Sequence, residues 1–105
     1  MNIGGALKDV RQNVARRRQY EVAAAVGISQ TYLSLVEGGA RSPTTDVIEK
    51  LCLEYRVPIA FVFWKAMEPK DVHRSKQKAL SLIKPIVDDL IEGFLVNNYK
   101  ANSDS

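Results

Sequence analysis

Cysteine and histidine each occur only once in this chain of 105 residues. The single thiol, Cys52, excludes an internal disulfide, and its place in an apolar stripe suits a buried free cysteine. Cys52 and His73 are too few to build a Cys/His metal cluster, and no metal site or cofactor is expected. His73 stands alone on a polar stretch and reads as solvated. No segment reaches about 18 apolar residues, so no membrane span or membrane partner is expected. The N-terminus lacks the apolar run of a secretion signal, and a reducing, cytoplasmic setting follows as the default. Gly4-Gly5 and Gly38-Gly39 are isolated pairs and not a phosphate-cradling loop, and no Ser-His-Asp set is present. Enzyme classes therefore find no support. Repeats, low-complexity tracts and strand patterns are also lacking.

What remains is a chain with 46% apolar and 26% charged residues, enough to fold around a core. The net charge of +3 is compatible with a polyanion partner without demanding one. Its distribution says more than its sum. Between Met1 and Arg41 six bases (Lys8, Arg11, Arg16, Arg17, Arg18, Arg41) face three acids (Asp9, Glu21, Glu37). From Ser42 to Glu68 the balance is three to four, and from Pro69 onward six to five. The positive excess sits in the first third.

Apolar spacing predicts helices throughout. Ile3, Leu7, Val10 and Val14 follow steps of four, three and four, predicting a first helix over about Asn2 to Asn13. Gln19 to Val26 reads as a second helix, closed by Gly27 in the left-handed position that ends helices. Ser29 suits the N-cap of a third helix reaching about Glu37, with Leu33 and Val36 inward and Ile28 packing from the turn. Ser42-Pro43-Thr44-Thr45 leads into a fourth, striped by Val47, Ile48, Leu51, Cys52 and Tyr55, with Asp46 favoured in its first turn. Pro58 fits the first position of a short, very apolar fifth helix ending near Ala66.

Glu68-Pro69-Lys70 is the best boundary, giving one unit over residues 1–68 and an extension over 69–105. In the extension, Leu80, Ile83, Val87, Leu90 and Phe94 form an apolar stripe, widened by Leu82, Ile86, Ile91 and Leu95, and Leu80, Ile83, Val87, Leu90, Ile91 and Phe94 are the expected dimer interface. Pro85 falls inside it and should kink or split the helix. The tail from Lys100 to Ser105 is polar and expected to fray. Trp64, Phe61 and Phe63 read as core and not as a ligand pocket, with Phe61 and Trp64 placed under the extension. So wide a stripe must be buried, against the fifth helix, a second subunit or both.

Glu21 to Glu37 has the build of two short helices joined at Gly27, with small apolar residues inside the first and polar side chains outside the second. That is how a helix-turn-helix is made, one helix bracing while the other enters the DNA major groove. Gln30 and Thr31 open the second of these helices, with Ser34 one turn on, where base edges are met. A glutamine can pair with adenine at two points, and a threonine methyl can meet that of thymine. Leu35 is either a thymine-methyl contact or an idle exposed residue. Gln19, Tyr32 and Ser34 are placed to hold phosphates, which fixes register without reading sequence. Of Arg16, Arg17 and Arg18, one or two are expected to reach DNA, with Arg41 flanking the far side.

In this order the residues resemble the phage-repressor and Cro-like helix-turn-helix domains, the XRE family. The likeness runs from Ile3 to Trp64. It rests on Gln19 with Glu21-Val22-Ala23, on Val26-Gly27-Ile28-Ser29-Gln30, on Tyr32-Leu33-Ser34 before Glu37-Gly38-Gly39, on Arg41-Ser42-Pro43, and on Val57-Pro58 with Val62-Phe63. If Arg11 is aligned with the family's arginine in the first helix, the segment before Gln19 is one residue longer. The resemblance implies an all-α, five-helix lambda-repressor-like domain with a C-terminal helical extension. It implies a partly buried Arg11–Glu37 ion pair of architectural role. It also implies a regulator of transcription on double-stranded DNA, more a repressor than an activator, working as a homodimer. Two other readings stay open: an antitoxin-like or accessory regulator whose extension holds a protein partner, and an adaptor that keeps the fold without binding DNA.

Overall fold

A computed structural model describes residues 1–103, with side chains as far as Leu95. Among them the protein is all-α, without strands. Helix α1 spans Ile3–Asp9 and continues as a π-helical segment over Val10–Ala15. Next come α2 (Gln19–Val26), α3 (Gln30–Glu37), α4 (Thr45–Tyr55) and α5 (Ile59–Ala66). Two short 3₁₀ turns, Pro69–Asp71 and Arg74–Lys76, lead to α6, Gln77–Ser103. Helix α6 passes Lys100, where a polar tail is expected to begin, and residues 104 and 105 lie outside the described residues.

Residues with fixed backbone habits set the boundaries. Gly27 takes φ +79, and both its N–H and that of Ile28 return to the Ala23 carbonyl, closing α2. Ser29 Oγ accepts from the Tyr32 N–H at 3.0 Å and opens α3. Thr44 Oγ1 accepts from the Val47 N–H at 3.2 Å and opens α4. Pro58 sits one place earlier than expected, at the N-cap of α5, with an extended ψ of 144.

The first helix departs most from expectation, which ends it at Asn13. Its last turn is widened into the π segment, which closes on Arg16 in the left-handed region at φ 53. A π turn takes up one residue more than an α turn. Val10, Arg11, Val14 and Ala15 are buried in this segment.

Leu7, Val10, Val14, Val22, Leu33, Val36, Leu51, Tyr55 and Val62 form the centre of the core. Helices α1 and α3 touch backbone to backbone at Gly4, where an added Cβ would lie 2.0 Å from the Val36 carbonyl oxygen. Cys52 is buried, and burial, then nearby Glu49, pushes its thiol up to about 11.

Helix α6 lies against the π segment and α5. Trp64 donates its indole N–H to Asp88 Oδ1 at 2.6 Å, which places this ring under the extension. Lys84 pairs with Asp88 at 3.1 Å. Lys65, nearly buried, joins Asp9 of α1 to Glu92 of α6. Burial opposes its charge, but the two carboxylates outweigh that and raise its pKa. Leu95 reaches the core, and Ile91 packs on it. The helix is continuous through Pro85 and is not split there. Ser81 and Pro85 are both exposed, so water can serve the Ser81 carbonyl that the proline leaves without its helical donor.

The stripe of the extension divides. Leu80, Val87 and Ile91 are half-buried on the side that carries Lys84, Asp88 and Leu95. Ile83, Leu90 and Phe94 look outward, as do Leu82 and Ile86.

Candidate nucleic-acid interface

Helix α3 leaves its first turn and one outer row in solvent. Ser29, Gln30, Thr31, Ser34 and Leu35 are exposed, while Leu33, Val36 and Glu37 anchor the opposite face. Gln30, Thr31, Ser34 and Leu35, with Gln19 from α2, line an open depression of about 290 Å³. Five residues expected at the DNA thus converge on one surface. Tyr32 is half-buried against the core, and only part of its side chain remains for a backbone contact.

A polar chain supports this surface from beneath. Arg11 and Glu37 form a two-point ion pair, with Arg11 Nε on Glu37 Oε2 at 2.7 Å and Nη2 on Oε1 at 2.9 Å. Both residues are buried, and Arg11 Nη1 also donates to the Arg17 carbonyl at 2.9 Å. The bond to Glu37 raises the already high pKa of Arg11 against the opposing effect of burial. Gln19 Nε2 donates to Glu37 Oε1 at 2.9 Å, which turns Gln19 Oε1 outward. Gln30 Nε2 points to that oxygen at 3.5 Å. The amide of Gln30 therefore keeps its Oε1 and a second N–H for a ligand, an acceptor and a donor side by side. Near the Arg11–Glu37 pair lies the buried Tyr55 hydroxyl, which shows no hydrogen-bond partner among the described residues. Burial first, then Glu37, keeps its phenol protonated well above the usual range.

The arginines separate. Arg18 is exposed at the N-cap of α2, and Arg16 is exposed at the end of the π segment. Arg17 turns to α4, with Nη1 on Glu54 Oε1 at 2.9 Å. That pairing across 37 positions has no signature in the sequence. Arg41 is exposed, and its N–H returns to the Leu35 carbonyl at 3.2 Å. It borders a second hollow of about 400 Å³ with Met1, Asn2, Gly4 and Ser42, apart from the α3 depression. His73 is exposed, and its ring nitrogen accepts from the Ser75 N–H at 3.2 Å.

A family model described as helix-turn-helix matches residues 7–62, more than half of the chain. The chain belongs to the XRE-like helix-turn-helix family. No curated protein and no solved structure matches closely enough to add a relative. It is a DNA-binding regulator of the helix-turn-helix kind, and α2, the turn at Gly27 and α3 lie within the matched region. The matched region ends within α5, so α6 lies outside it. Among the described residues no helix is long and apolar enough to cross a membrane.

Proposed function

We propose that this protein is a sequence-specific repressor of transcription that reads the major groove with α3 and acts as a homodimer. The observation that carries the reading is the amide of Gln30. Glu37 holds Gln19 and Gln19 meets Gln30, so an oriented donor–acceptor pair stands in solvent beside Thr31 and Ser34. Adenine offers the complementary acceptor and donor on its major-groove edge. Arg16 and Arg18 supply phosphate contacts at the α2 end, and the N–H of Gln19 opens α2 toward the backbone. Arg17, committed to Glu54, serves the scaffold first. Two copies are needed because one module reaches only a few base pairs, and two-fold dimers double the site.

The test is selection of binding sites from random duplex DNA, followed by titration against salt. The parent protein should enrich a sequence with two-fold symmetry. Its affinity should fall with salt by about 0.9 log units per log unit for each phosphate contact. Gln30→Ala should relax selection at one adenine by about 5- to 150-fold, equivalent to about 1–3 kcal/mol. Arg18→Glu should weaken binding to all sequences alike. An adaptor without DNA binding would show no enrichment and no salt dependence.

A further inference from the structure

Helix α6 is oriented with its most apolar arc away from the protein. Leu82, Ile83, Ile86, Leu90 and Phe94 are 65, 53, 62, 71 and 70% exposed. At 100° per residue they span an arc about 120° wide, which among residues 77–95 they share only with Ala79 and Gly93. Among residues 77–95 no charged residue falls within it; Asp89 and Lys78 mark one border. The domain-facing side carries the polar anchors instead: Lys84 and Asp88 with Trp64, and Glu92 with Lys65. Turning the helix to bury the outer arc would strip these groups of their partners, so among the described residues nothing covers the arc.

We infer that this arc, and not the Leu80–Val87–Ile91 face, is the seam through which two copies pair. The inference rests on the homodimer reading above and assigns its surface. Three observations point to a second copy as the occupant. Ala79, Ile83, Ile86, Leu90 and Gly93 are all exposed and follow steps of four, three, four and three, the heptad spacing of paired helices. Five large side chains at roughly 100 Å² each give about 500 Å², near the ~600 Å² per copy of the smallest stable interfaces. Gly93 completes the argument. It lies within a long helix, where glycine is unfavourable, yet a Cβ there would meet nothing within 4 Å. Its own chain gives no reason for it. Close approach of another helix across the arc does.

Light scattering and sedimentation of the full chain test this, with circular dichroism as the folding control. The parent should be a dimer at micromolar concentration. Leu90→Asp and Ile86→Asp should raise the dimer dissociation constant at least tenfold while helix content is kept, because both side chains stand in water in the single copy. Gly93→Leu should also weaken the dimer, although it enlarges the apolar arc; tighter association would show adhesion without close packing and overturn the seam. Leu53→Asp, at the most exposed large apolar residue, is the control and should leave the mass unchanged. A dimer that survives Leu90→Asp would overturn this surface but leave the homodimer. A monomeric parent would overturn both, and DNA selection would report separately on the reading of bases by α3.

Discussion

Glu37→Gln is the substitution on which the architecture of the reading surface is best tested. The carboxylate accepts three hydrogen bonds, two from Arg11 and one from Gln19. A glutamine oxygen can still serve Arg11 Nη2 and Gln19, but its NH₂ group then faces the Nε–H of Arg11, donor against donor. The guanidinium, 8% exposed, is left without a counter-charge. Removing one member of a buried pair costs about 3–5 kcal/mol. At about 4–8 °C of Tm per kcal/mol for a domain of this size, the midpoint should fall by roughly 12–40 °C. Urea unfolding should show the same loss in free energy with an unchanged slope. At low temperature, where the variant is still folded, selection at the adenine facing Gln30 should also loosen, since Gln19 loses the charge that orients it. A loss below about 1 kcal/mol would refute the reasoning, because it would mean that the arginine charge is solvated and the pair is an ordinary surface bridge.

Gly4→Ala brings a methyl group to 2.0 Å from the Val36 carbonyl oxygen, and its nearest neighbours are all backbone atoms of Val36 and Glu37. Overpacking against fixed backbone should cost about 3 kcal/mol, the upper end of the usual range, and after a helix-propensity gain of about 1 kcal/mol should leave a net loss of about 2 kcal/mol in thermal or urea unfolding. Ser29→Ala removes the cap of α3 and should cost about 1 kcal/mol, with faster hydrogen exchange at the Tyr32 amide as the local readout. Cys52, held up to about 11, should resist thiol reagents at pH 8 until the protein unfolds. Its raised pKa means that the folded state keeps a proton the unfolded chain gives up near its ordinary pKa of about 9. Stability should therefore fall between pH 9 and 11, and Cys52→Ala should flatten that part of the profile.

Much of the fold could be read before the structure because single residues impose backbone geometry. Gly27 permits a left-handed turn, Ser29 and Thr44 carry side-chain oxygens that cap helices, and the three-four spacing of Val47, Ile48, Leu51 and Tyr55 selects one buried face. Those local rules gave α2, α3, α4 and α5 nearly to the residue. The row Gln30, Thr31, Ser34 follows from the same logic, since residues that do not pack on the core must face water. The DNA-binding class was legible for the same reason.

Long-range geometry was decided by the folded chain alone. Nothing near Arg17 announces Glu54, so three adjacent arginines looked equivalent until α4 claimed one. The widened turn over Val10–Ala15 likewise has no signature in the sequence, where the apolar spacing fits a regular α-helix. The stripe of α6 could be counted in the sequence, but not divided. Which half turned inward depended on where Lys65, Trp64 and Asp9 stood, because a charge taken out of water must find its partner, whereas an apolar side chain can wait for any surface that excludes water.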